Sequence, residues 1–109
     1  MTYNITPNSK VVSDVAGTYN IEKTDANGTT FIADDTSTVI FNLPAASDIL
    51  EGTYYTFKKK GGGGNVNIVP DGSDKIDGVN SATVISGIWD TYTIVCDGSG
   101  WYLLSFGSS

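Results

Sequence analysis

The sequence predicts an all-β fold, a sandwich or barrel of about eight or nine short strands. Three observations carry this. Glycine, threonine, serine, asparagine and aspartate are abundant while alanine and leucine are sparse, so helix formers are too few for a bundle. Turn residues recur every handful of positions. The last third spells out a hairpin: Trp89 to Cys96, then the turn Asp97-Gly98-Ser99-Gly100, then Trp101 to Phe106. An Asp-Gly turn between runs rich in β-branched and aromatic residues is the strongest short-range hairpin signal.

The elements follow in order. Residues 1–12 are polar, contain Pro7 and first turn apolar at Val11-Val12, and read as an extended N-terminal arm; residues 13–109 form the β domain. Gly17–Lys23 puts Tyr19 and Ile21 on one face, and after the turn Asp25–Gly28 the run Thr29–Ala33 completes an expected first hairpin. Thr38–Leu43 is apolar on both parities, as a central strand is, and Pro44 ends it. Ala45–Leu50 suits a single helical turn, with Ile49 and Leu50 closing one end of the domain. Gly52–Lys58 is a strand with Tyr55 and Phe57 on one face. A flexible Lys-Lys-Lys-Gly-Gly-Gly-Gly loop follows, and Asn65–Pro70 resumes a strand with Val66 and Ile68 together. Ile76 stands isolated among turns, and a short strand near Ala82–Ile85 precedes the closing hairpin.

Charge and composition exclude several functions. At 109 residues the chain is one domain, able to bury about two thirds of its unfolded surface. Its net charge is −6, all six basic residues are lysines, and there is no histidine. Phosphate backbones are bound through positive charge, so nucleic acid is not an expected partner. The commonest general acid/base and metal ligand is missing, and the serines have no histidine to activate them. The single Cys96 cannot form an internal disulfide and falls inside a strand, where a buried inert thiol is expected. No apolar run approaches the ~20 residues of a membrane span, and the N-terminus lacks the charged and apolar regions of a secretory signal. No catalytic residue, cofactor or metal is expected.

Three groups invite a functional reading. Lys58, Lys59 and Lys60 precede the glycine run, whereas a phosphate loop needs its lysine after the glycines and a helix beyond. They read as a solvated rim, with contact to an acidic partner surface as the functional alternative. Asp71, Asp74 and Asp77 recur every three residues beside turns; they lack the calcium-loop register and read as turn formers. The aromatics are the most informative. Adjacent pairs such as Tyr54-Tyr55 and Trp101-Tyr102 must point to opposite faces of a strand. Tyr55 and Trp101 are assigned to the core, which leaves Tyr54 and Tyr102, with Trp89 and Tyr92, for a subunit interface or a sugar-stacking surface. Val11 and Val12 join them as candidate interface residues on the arm.

The run Val39–Ala46, then Gly52–Lys58, Val66–Val69 and Asp97–Ser105, resembles the small β-domains of tailed-bacteriophage virion proteins. In that family a strand ending in Leu-Pro-Ala precedes a Gly-x-x-Tyr/Phe strand with basic residues, and an Asp-Gly-x-x-Trp hairpin closes the domain. Members are capsid decoration or cement proteins, head fibres and tail-fibre tips. The resemblance, over residues 38–106, implies a single-domain antiparallel sandwich, jelly-roll-like and homotrimeric, mounted on a larger assembly. It implies a non-enzymatic decoration protein on the virion capsid, made in the host cytoplasm, with copies of itself and the major capsid protein as partners. A fibre tip gripping host glycans is the alternative.

Overall fold

Through its first six strands, the chain alternates between two facing sheets. The structure is a computed structural model that describes residues 10–61 and 63–107. β1 (Val11–Val15), β3 (Thr30–Ala33) and β5 (Tyr54–Lys59) enter one sheet; β2 (Thr18–Asn20), β4 (Val39–Asn42) and β6 (Val66–Val69) enter the other. Neighbours within each trio are parallel. The chain thus winds through three passes of a two-sided coil. Three further strands then run back antiparallel. β7 (Thr83–Ile85) pairs with β6, β8 (Thr91–Cys96) with β5, and β9 (Trp101–Gly107) with β8. The final orders are β1-β3-β5-β8-β9 and β2-β4-β6-β7.

The all-β expectation therefore holds in a coarser form: among the described residues there are nine strands in two sheets, with a 3-10 turn at Ala46–Asp48. The sheets are mixed, so the purely antiparallel jelly-roll arrangement does not stand. The first hairpin fails for the same reason. Its two strands, β2 and β3, lie in opposite sheets, and the segment between them is a crossing. That crossing is tied down by Asp25, whose carboxylate accepts from the Glu22 amide (2.8 Å), and by the Gly28 amide donating to the Tyr54 carbonyl (2.8 Å). Val11 and Val12 belong to β1, and residues 1–9 of the expected arm lie outside the described residues.

Register explains the core. Parallel stacking puts Val12, Phe31 and Phe57 in one inward row, continued by Tyr92 on β8. Facing it, Tyr19, Phe41 and Ile68 form a second row. Phe31 and Phe57 stack at 5.4 Å, and Phe41 bridges the sheets to both, at 5.5 and 5.1 Å. Tyr55 carries the cluster on to Trp101 (5.9 Å). Ile49 is buried beside the 3-10 turn, but Leu50 is 83% exposed and closes nothing.

The closing hairpin forms as expected, with Cys96 opposite Trp101 across the Asp97-Gly98 turn. Its apolar residues divide by plain alternation: Trp101 and Leu103 face inward, while Tyr102 and Leu104 stand 46% and 62% exposed. Beyond them Ile94 pairs with Leu103 and Thr93 with Ser105, so Leu104 is the extra residue of a β-bulge.

One glycine is fixed by close approach. A Cβ at Gly64 would overlap the Ser37 carbonyl, backbone against backbone, whereas one at Gly63 would only touch Thr36 O at 3.6 Å. Gly64→Ala is expected to cost about 1–3 kcal/mol by forcing the Asp35–Thr38 crossing aside. Gly63→Ala should leave the urea midpoint nearly unchanged. Equal midpoints for the two variants would contradict that packing.

Candidate interaction surface

The outer face of the five-stranded sheet is built by the residues between the core positions. One row reads Val11, Thr30, Thr56, Thr93; a second reads Ile32, Lys58, Thr91; a third reads Tyr54, Val95, Tyr102. The bulged Leu104 adjoins them. Val11 (60%), Tyr54 (42%), Tyr102 (46%) and Leu104 are the exposed apolar members. The threonines are half-buried, and the Thr56 and Thr93 hydroxyls bond each other at 3.1 Å. Lys58 is the sole charge within these rows, on a chain with twelve acidic residues. Sheet faces left to water normally alternate to polar and charged side chains; this one carries a single charge and is half apolar. The opposite outer face differs. Its rows read Thr18, Ile40, Asn67, Val84 and Asn20, Asn42, Val69, with Val84 (44%) the exposed large apolar residue in them, and the Asn42 amide donates to Asn20 Oδ1 (2.8 Å).

The structure divides the candidate interface residues. Tyr54 and Tyr102 point outward, as the pair rule required, while Tyr55 and Trp101 are buried. Tyr92 lies on the inward parity, half-buried against the core, and so does Val12. Trp89 precedes β8 rather than belonging to it and is 45% exposed. Ile32, Thr30 and Leu104 complete the face; the first two are visible in sequence only as a period-2 pattern, Thr-x-Ile, whose partner strand local sequence does not name.

The three lysines separate. Lys59 is 3% exposed, its ammonium donating to the Gly61 carbonyl (3.2 Å), so it is no part of a solvated rim. Lys60 is exposed and lies 3.5 Å from Asp14 and 3.9 Å from Asp34 of its own chain. Lys58 donates to the Trp89 carbonyl and the Thr91 hydroxyl, each at 3.0 Å, and sits 5.8 Å from the centre of the Trp89 ring. Trp89 itself adopts φ +68°, left-handed backbone that a bulky side chain rarely takes. Its amide is held by the Lys59 carbonyl at 2.6 Å. Left-handed backbone costs an L-residue about 1–2 kcal/mol, and an exposed cation–ring contact returns only about 0.5–1 kcal/mol. Trp89→Gly is therefore expected to raise stability by about 1 kcal/mol in urea unfolding. A loss of that size would show instead that the ring itself holds the fold.

The turn aspartates do structural work. Asp74 Oδ2 accepts from the Ala46 amide (2.8 Å) and Asp77 Oδ1 from the Leu103 amide (2.9 Å). Among the described residues no group of three or more His, Cys, Asp or Glu side chains is placed to hold a metal ion. Asp97 accepts from the Ser99 and Gly100 amides (2.9 and 2.8 Å), which holds its carboxyl below the usual pKa. The Asp97 carboxylate also acts on the Tyr102 hydroxyl and raises the tyrosine's pKa. Burial pushes the Cys96 thiol up and Tyr55 up to about 12, so both are neutral near pH 7. Where the Asp71–Asn80 loop meets the Asp97–Gly100 turn, a cleft of about 350 Å3 opens against Tyr102. Local sequence carries no sign of it, because its walls are far apart along the chain and meet through the Ile76–Trp101 bridge and the Asp77–Leu103 bond.

Compared with known proteins, the chain matches no family model and no curated sequence. The functional reading consequently rests on these surfaces and on the sequence resemblance.

Proposed function

We propose that this is a non-enzymatic structural module of a bacteriophage virion, a capsid decoration or cement protein. It assembles as a homotrimer and reinforces contacts between major capsid subunits. The observation that carries the reading is the outer face of the five-stranded sheet. A surface of Val11, Ile32, Tyr54 and Leu104 set among threonines, with Lys58 as the charge in its rows, is what a self-association surface offers, since charged residues are depleted and aromatics enriched at the centre of interfaces. Burial of that apolar area between copies would supply most of the stability of the assembly. Among the described residues no helix is long and apolar enough to cross a membrane.

Two experiments test this in sequence. Light scattering on the purified chain should give a mass of three copies; a stable monomer at high concentration would count against assembly. Mixing the protein with undecorated capsids should then yield decorated particles visible by electron microscopy. Absence of binding to intact shells would exclude the cement role and leave the fibre-tip reading, which the exposed Trp89 and the cleft beside Tyr102 favour.

A further inference from the structure

We propose that the cleft between the Ser73–Gly78 segment and the Ser99–Tyr102 turn is a binding site for a neutral saccharide. The proposal stands on the cleft alone and requires neither the trimer nor the capsid.

Shape and rigidity come first. About 350 Å3 lies at the small end of the ~300–1,000 Å3 range of ligand sites. Its walls are pinned before any ligand arrives. Ile76 exchanges backbone bonds with Val79 (2.9 and 3.0 Å). The Trp101 amide donates to the Lys75 carbonyl (2.9 Å), and the Asp77 amide to the Trp101 carbonyl (2.9 Å). The Asn80 side chain ties Gly72 to Asp74 through their carbonyls. A preformed site avoids the cost of ordering its loops on binding.

Chemistry comes next. Tyr102 supplies an exposed aromatic face on the cleft wall. Such a ring has an apolar body and a polar tip, as the C–H face and hydroxyl rim of a sugar do. Around it stand groups with unused hydrogen-bonding capacity. Asp74 spends Oδ2 on the Ala46 amide and leaves Oδ1 open; the Ser73 hydroxyl and Lys75 ammonium have no partner among the described residues. The set thus offers an acceptor, a cationic donor and a hydroxyl that does both, the mixture that ring hydroxyls need. Gly78 and Gly100 add backbone walls without side chains.

Electrostatics and topology exclude other occupants. Asp74, with Asp77 and Asp97 close by, outweighs the one lysine, so an acidic sugar or phosphate meets net negative charge. An extended peptide would add to the free edge of β9. That edge is already occupied at its start, where Ile76 bridges Trp101 and Asp77 caps the Leu103 amide.

The test is amide NMR of the full chain titrated with lactose, maltose and chitobiose, with glucuronic acid and sialic acid as charged comparators. A neutral disaccharide should shift the amides of Gly78, Ser99 and Gly100 with a Kd of about 1–10 mM, the strength one shallow cleft can give. Tyr102→Ala should weaken binding at least about tenfold, about 1.4 kcal/mol. Tyr102→Phe keeps the ring and should retain binding. Lys75→Ala and Ser73→Ala, on the exposed loop and off the sheet, should each weaken it with the fold intact. Silence at these amides with all three neutral sugars, tighter binding of the acidic ones, or shifts centred on Trp89 would each overturn the site. Light scattering on the same samples reads self-association separately. A chain that associates without binding sugar overturns the cleft alone, and one that binds sugar as a monomer overturns the trimer alone.

Discussion

Phe31→Ala is expected to cost about 3–5 kcal/mol, the range for truncating a buried phenylalanine. Phe31 is fully buried and occupies the centre of the aromatic cluster, within 5.3–5.7 Å of Tyr19, Phe41, Tyr55 and Phe57. Those four rings come from three strands, β2, β4 and β5, drawn from both sheets, so the cavity opens where all three passes of the coil meet. The aligned strands are hydrogen-bonded to their neighbours and have little freedom to collapse into it. Domains of this size are stable by only about 5–15 kcal/mol. The variant should therefore show a large drop in urea midpoint with little change in slope, and a melting transition displaced well below the parent's. Phe31→Leu, which keeps most of the volume, should recover much of the loss. A cost under about 1 kcal/mol for the alanine variant would mean that the two sheets do not meet through Phe31.

What local sequence could convey was which face each residue takes. Val39, Phe41, Tyr55, Phe57, Val66, Ile68 and Trp101 are all buried, and a period-2 reading placed each of them on a strand. The Asp97-Gly98 turn was legible because turn chemistry is local. Pairing was not. A strand's alternation says which side chains go inward but not which strand lies beside it, and β2 and β3 alternate as well across a sandwich as within a hairpin. The one hint was β4: Val39-Ile40-Phe41 is apolar on both parities, as strands in parallel sheets often are. Lys59 was misread because charge alone suggested solvent, whereas its backbone register with Ala33 sets it on the inward row. Its long aliphatic stem can be buried while the ammonium reaches the Gly61 carbonyl at the domain's end. Of the candidate surface, Tyr54 and Tyr102 were legible from the pair rule; the cleft was not, since it depends on a contact between two loops.

Tyr54→Glu is the substitution expected to act most strongly on assembly and least on the subunit. The Tyr54 side chain is 42% exposed on the third outer row, and the bond to Asn27 Oδ1 is made by its backbone amide (2.9 Å), which glutamate retains. Surface changes of this kind usually move monomer stability by no more than about 0.5 kcal/mol. In an assembly the same carboxylate would be buried against Val95 or its counterpart, with no cation in its row. An unpaired charge removed from water costs far more than the tyrosine contact it replaces. Symmetry repeats that penalty at every interface. Self-association should weaken by at least about 100-fold, about 2.7 kcal/mol, with the circular dichroism spectrum and urea midpoint of the dissociated chain unchanged. Thr18→Glu provides the control, because it places the same charge at an exposed position on the outer face of the four-stranded sheet, opposite Ile40. If both variants dissociate alike, net charge and not the face governs association. If neither does, copies meet elsewhere and the five-stranded sheet is left to a different partner.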